Sequence, residues 1–325
     1  MLELKGKTIM ITGGTGSFGN ALIDYLKGNN IHFVVYSRDE SKQHDMFINR
    51  RQENITYIIG DIRDLQKLRT SMKHIDYVFH AAALKHVPTG EVYPEEVIKT
   101  NILGTKNVIE AADLAGVKKL IVLSTDKAAY PISAYGMSKA LTEKLVSAYN
   151  GSCTNVCLRY GNVLGSRGSV VPVFLEQIKK GKLLTVTDYG MTRFVLTLDE
   201  AVRLALRCLD LGRSNELFIM KPAACTIKTL VEALELKYQR KLPVEIIGIR
   251  PGEKVDEVLL TGDEVYRSID SSVDNIKYAS ITLKLFPDYH FTGEPHVEPE
   301  PFTSANAIRL TPEELLGKLM EAKLL

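Results

Sequence analysis

The run TGGTGSFG, residues 12–19, follows an apolar-alternating segment and opens a helix-like one. Gly14, Gly16 and Gly19 satisfy G-x-G-x-x-G, and Gly13, Gly16 and Gly19 satisfy a three-residue spacing. Such a turn brings backbone close to a diphosphate and aims a helix N-terminus at it without Cβ atoms in the way. In this strand–turn–helix context it predicts a dinucleotide site and dictates how the chain must start.

The first 160 residues keep that rhythm. Short β-rich runs lie at 7–12, 32–37, 55–60, 76–81, 119–125 and 155–161, separated by polar or amphipathic stretches of helix length. Runs apolar on both faces suit a parallel sheet covered by helices on each side. We expect an α/β fold, a doubly wound parallel sheet of Rossmann type over residues 1–165 that later segments can rejoin. A smaller C-terminal substrate lobe is expected over 166–325. There the periodicity predicts helices at 170–181 and 226–239 and a strand at 244–249. Thr197 and Glu200 have capping-box spacing, as do Thr311 and Glu314, with Pro312 at N1. Residues 263–304 show no clear periodicity.

Composition narrows the partners. With 41 Lys plus Arg against 39 Asp plus Glu, a formal charge of +2 gives no global field for nucleic acid. No run of 18 apolar residues predicts a membrane span. The start MLELKGKTIMITGG reads as a first strand rather than a signal peptide. Four cysteines without C-x-x-C fit a reducing compartment, so a cytoplasmic protein is expected, with no metal site.

After the second strand the chain offers Ser37, Arg38 and Lys42, with Asp39 one step later than the carboxylate that usually takes NAD ribose hydroxyls. A hydroxyl and two cations suit a 2′-phosphate, so the expected cofactor is NADP. Asp61 and Ile62 are placed near the adenine. The fifth strand ends in Ser124-Thr125-Asp126-Lys127, and ISAYGMSK puts Tyr135 and Lys139 at i and i+4, on one helical face. Tyr135 can exchange a proton with a substrate hydroxyl as hydride leaves its carbon, Lys139 can hold nicotinamide ribose, and Thr125 can steady the same oxygen. Asp126 and Lys127, an acid beside a base, suit elimination next to a transient ketone.

TGGTGSFG, SRDESKQ, GDIRD, HAAALKHVP, KTNILGT, LSTDKAAYPISAYGMSK, RYGNVLGSRGSVVP, DYGMTRF and IGIRPGEK, in this order, resemble the bacterial-type UDP-N-acetylglucosamine 4,6-dehydratases of the extended short-chain dehydrogenase/reductase superfamily. The likeness runs to about residue 260. It implies a lyase with UDP-N-acetylglucosamine as substrate, Asp126 and Lys127 as acid and base, inversion at C5 in several members, and a homo-oligomer. The helices near 91–114 and 133–149 are then the expected subunit contact. It also implies a cofactor set of Gly13, Gly16, Ser17, Phe18, Gly19, Ala81, Lys85 and Val163 beside Ser37, Arg38, Lys42, Asp61, Ile62, Tyr135 and Lys139. The implied nucleotide-sugar set is Lys85, Asn162, Arg167, Gly168, Ser169, Val170, Val171, Thr187, Arg193, Arg250 and Glu253. Two alternatives stand beside it. A 4-epimerase or 4-reductase would use Thr125, Tyr135 and Lys139 but leave Asp126 and Lys127 without a chemical role. A non-catalytic NADP-binding scaffold would use only the glycines and Arg38.

Overall fold

A computed structural model describes residues 3–50, 54–166, 169–249, 253–273, 276–282 and 299–325. The first half alternates as the glycine turn demands. Strands β1 (Thr8–Thr12), β2 (His32–Ser37), β3 (Ile55–Ile59), β4 (Tyr77–His80), β5 (Lys119–Leu123) and β6 (Thr154–Arg159) all run parallel. Helices α1 (Ser17–Tyr25), α2 (Glu40–Asn49), α3 (Leu65–Ser71), α4 (Val87–Val92), α5 (Pro94–Val97), α6 (Gly104–Leu114) and α7 (Ala134–Ala148) connect them.

The second half adds β7 (Leu184–Val186), β8 (Thr192–Phe194), β9 (Glu216–Met220), β10 (Ala224–Thr226), β11 (Val244–Ile246), β12 (Val258–Leu260), β13 (Ile269–Val273), β14 (Ile276–Thr282) and β15 (Phe302–Thr303). Its helices are α8 (Val170–Lys179), α9 (Leu198–Leu211), α10 (Ile227–Tyr238), α11 (Gly262–Arg267) and α12 (Pro312–Glu321). The main sheet has the order β3-β2-β1-β4-β5-β6-β9-β14-β13, and β14 and β13 run antiparallel at its end. The fold is thus α/β and Rossmann-like, with a mixed sheet and a smaller C-terminal lobe. The order reverses between β1 and β4, which opens a crevice at the carboxyl ends of these strands.

Two apolar clusters cover the two sheet faces. On one, Phe18 and Leu22 of α1 lie four residues apart and pack with Phe79 of β4, the Phe18 and Phe79 rings 6.0 Å apart. On the other, Val108 and Ala112 of α6 meet Val78 and Val122. Burying each large side chain contributes about 1.5–3 kcal/mol. A third cluster, with Phe174, Leu230, Leu234 and Leu315, forms the heart of the lobe. The capping boxes at Thr197/Glu200 and Thr311/Glu314 both form, and Thr261/Glu264 forms a third.

Three expectations about elements are corrected. The stretch near 91–114 is broken: Pro94, lacking an N–H, starts α5 after α4 ends, and a π-helical turn at Ile98–Leu103 follows. The strand expected at 244–249 stops at Ile246. The aperiodic stretch after 262 holds α11 and the β13–β14 hairpin, whose first strand, IDSSV, is too polar to read as a strand. Among the described residues no helix is long and apolar enough to cross a membrane.

Candidate active site

Gly13 has φ +67°, and a Cβ there would lie 2.8 Å from the backbone of Ala82, so only glycine lets β1 turn beside the chain leaving β4. The turn delivers α1, whose N-terminus has no side-chain cap, to the rim of a cavity of about 600 Å³. By contrast α2, α3, α7, α9 and α10 all open with a side chain that accepts from their first turn. The unmet N–H groups of α1 and its dipole suit an anion.

Of the expected cofactor set, Gly13, Gly16, Ser17 and Phe18 line this cavity at the glycine turn. Ser37, Arg38, Lys42 and Ile62 line it at the β2 end, and Ala81, Lys85, Tyr135, Lys139 and Val163 further along. Gly19 instead packs α1 onto Gly14, and Asp61 stands beside the rim. Asp61 accepts from Arg63, and Arg38 lies 3.5 Å from it. Burial works against its charge, but the Arg63 hydrogen bonds and the Arg38 charge hold its carboxyl below the usual range. Lys42 pairs with Asp39, whose carboxylate also caps α2. The two cations expected to take a 2′-phosphate are therefore already matched by two carboxylates, and a phosphate there would meet both. The NADP expectation is corrected on this ground.

At the far end of the groove, Ser133 caps α7 by accepting from Gly136 N–H. A methyl on Gly136 would strike the Lys127 carbonyl, so glycine lets α7 lie tight on the 3₁₀ turn Asp126–Ala128. That contact stands Tyr135 over Thr125, Asp126 and Lys127. Burial raises the Tyr135 pKa; the Lys127 ammonium and a hydrogen bond with Thr125 oppose the rise, and the Asp126 charge adds to it. Lys139 is only 4% exposed and makes no ion pair among the described residues. Burial brings its pKa down to about 8, against the pull of Cys157 and Glu143. Asn101 fixes the groove wall: its side chain exchanges hydrogen bonds with the Leu84 backbone at 2.8 and 2.9 Å and donates to Ser138 of α7 at 2.9 Å.

A second cavity, about 420 Å³, lies under the lobe and shares Lys127, Asn162 and Val163 with the first. Ser169, Val170, Val171, Thr187, Arg193 and Glu253 of the expected sugar set line it, while Lys85 lines only the first. Ser169 precedes α8, which, like α1, opens without a side-chain cap. Arg167, Gly168 and Arg250 lie outside the described residues.

Asp126, 1% exposed, lines neither cavity; it binds Lys127 at 3.2 Å and accepts from Thr125 at 2.8 Å. Lys127 is also 3.5 Å from Glu257. Burial would lower the Lys127 pKa, but Asp126 and Glu257 outweigh it and hold the value above that of an ordinary lysine. The carboxylates of Asp126 and Glu257 thus hold Lys127 in its charged form.

Glu257 and Lys254 line the second cavity, and Tyr160 lines the first; sequence reading singled out none of them. Glu257 stands four residues after Glu253 in EKVDE, a spacing that put no weight on it, and it acquires its place only through β12.

The chain matches the model of the family described as polysaccharide biosynthesis protein over residues 9–278. It is 45% identical over 326 aligned positions to a UDP-glucose 4-epimerase of Rickettsia prowazekii (strain Madrid E), covering 97% of this chain and 95% of that protein. Among solved structures it is similar to Pen from Bacillus thuringiensis, with 33% identity, TM-score 0.87, and 98% and 100% of the two chains covered. At 22% identity and TM-score 0.65, covering 76% and 88%, it shares the fold of the Thermus thermophilus UDP-glucose 4-epimerase, solved with NAD. These likenesses overturn the 4,6-dehydratase expectation, and with it the lyase class and UDP-N-acetylglucosamine as substrate. The chain belongs to the polysaccharide biosynthesis protein family, among the UDP-glucose 4-epimerases of the extended short-chain dehydrogenase/reductase superfamily.

Proposed function

We propose that this chain catalyses NAD-dependent 4-epimerisation of a UDP-hexose of the UDP-glucose type. The observation that carries the reading is the meeting of the two cavities beside one hydride-transfer set, Thr125, Tyr135 and Lys139. The groove suits NAD: α1 offers uncapped N–H groups for a diphosphate, Asp39 and Asp61 supply acceptors near the β2 end, and the buried Lys139 ammonium awaits hydroxyl partners. Bound there, NAD supplies the group that takes a hydride from sugar C4 and gives it back.

The chain's own residues handle the proton. Tyr135 accepts it from the C4 hydroxyl and later returns it, with the Thr125 hydroxyl bonded to the same phenol. The Lys127 cation steadies the phenolate. Inversion needs the keto sugar to turn its other face to the groove while the nucleotide stays held. The second cavity has the room, and its walls of Val171, Phe174, Val186 and Met191 impose few polar contacts on that turn. Ser169 at the α8 start and Arg193 are the groups we assign to the UDP diphosphate. We also place the protein in the cytoplasm, a reading supported by four buried, unpaired cysteines.

Incubating the NAD-loaded protein with UDP-glucose and recording proton NMR tests the reading. UDP-galactose should appear, and Tyr135→Phe should slow it by about 10² to 10⁴-fold. A wild-type protein that holds NAD and leaves UDP-glucose unchanged would sink it.

A further inference from the structure

A lysine ammonium has three N–H donors, and Lys127 has three acceptors around it: Asp126 Oδ1 at 3.2 Å, Asn162 Oδ1 at 3.5 Å and Glu257 Oε1 at 3.5 Å. It is a hub at the junction of the two cavities. Glu257 Oε1 also faces Arg193 Nε at 3.8 Å, so Lys127 and Arg193 approach the same oxygen. The other, Oε2, is buried with no hydrogen-bond partner, in a residue 5% exposed that lines the second cavity.

The surroundings hold the Glu257 main chain still. Glu257 N–H donates to Ser304 Oγ at 2.8 Å, and Ser304 N–H donates back to Glu257 O at 2.8 Å. Ser304 Oγ in turn pairs with Thr192 Oγ1 at 2.6 Å, one residue before Arg193. A buried acceptor left unmet in a rigid frame, at the end of the cavity nearest the reacting groups, calls for a ligand that donates.

We propose that Glu257 is the specificity-determining residue for the hexose: its free Oε2 accepts a hydrogen bond from a sugar hydroxyl and so selects a neutral, hydroxylated hexose over a hexuronate. The proposal rests on the UDP-hexose reading of the cavity. A hydroxyl brings a proton to an oxygen that lacks one. A sugar carboxylate brought to the same place would offer no proton, leaving that oxygen unmet.

The test is titration of the NAD-loaded protein with UDP, UDP-glucose and UDP-glucuronic acid, comparing wild type with Glu257→Gln and Glu257→Asp. The wild type should bind UDP-glucose at least tenfold more tightly than UDP-glucuronic acid. Glu257→Gln should weaken UDP-glucose about 10- to 100-fold, the range for a lost bond to a charged group, change UDP, which meets Arg193 but not Oε2, by a clearly smaller factor, and narrow the gap to UDP-glucuronic acid. Glu257→Asp keeps the charge beside Lys127 and withdraws the oxygen by one methylene, so it should lose UDP-glucose affinity even if the glutamine variant does not fold. Equal effects on all three ligands, or no effect, would overturn the proposal. Turnover plays no part in the titration, so failure of the epimerase reading, a wild type that forms no 4-epimer, is recognised separately.

Discussion

Replacing Lys139 by methionine should stabilise the cofactor-free protein at neutral pH while abolishing its activity. Lys139 is 4% exposed, and burial drops its pKa from 10.5 to about 8. At about 1.4 kcal/mol per tenfold change in proton affinity, keeping this ammonium inside costs the fold about 3 kcal/mol. The sign follows from proton counting. Below pH 8 both the folded and the unfolded chain carry the proton, and the full cost is present. Between about 8 and 10.5 the folded chain has released it while the unfolded chain keeps it, so wild-type stability rises with pH relative to the variant. Methionine fills nearly the same space without a charge. Urea unfolding of both proteins at about pH 7 and about pH 10 should give a variant more stable by up to about 3 kcal/mol at the lower pH, with the gap closing at the higher. A gap independent of pH, or a variant less stable at pH 7, would refute the claim that Lys139 is an uncompensated buried cation.

Other consequences are as direct. Lys127→Arg keeps a cation between Asp126 and Glu257 but cannot act as a base, so epimerisation should stay within about tenfold of wild type; kinetics showing a loss beyond about a thousandfold would restore a proton-transfer role. Asp61→Asn releases Arg38 and removes a negative charge, so competitive titration should show NADP gaining on NAD; an unchanged ratio would mean that Arg38 does not reach the ribose. Arg159, 2% exposed, is held by Glu143 and Glu264 at 2.6 and 2.7 Å, so Arg159→Met should cost about 3–5 kcal/mol in denaturant unfolding by leaving both carboxylates unpaired.

What the sequence disclosed and what it withheld divide along sequence separation. The glycine turn and the Thr197 and Thr311 capping boxes rest on neighbours within a few residues, and they form as read. Tyr135 and Lys139 share a helix, so their common face was legible from i, i+4 spacing. The roles that changed were decided at long range. Lys127 was legible beside Asp126, but its second carboxylate, Glu257, 130 positions on and 3.5 Å away, was not. Arg38 looked free for a phosphate until Asp61, 23 positions on, came within 3.5 Å. The β13–β14 hairpin joins the main sheet through pairing of β14 with β9, which lies about 60 positions earlier.

The central claim is that hydride leaves C4 and comes back to C4. UDP-glucose deuterated at C4, turned over by the NAD-loaded protein in ordinary water, tests it most directly. The account predicts UDP-galactose with deuterium retained at C4, no accumulating absorbance from reduced cofactor, and no change in mass. Deuterium found at C6, or a product lighter by one water, would contradict it.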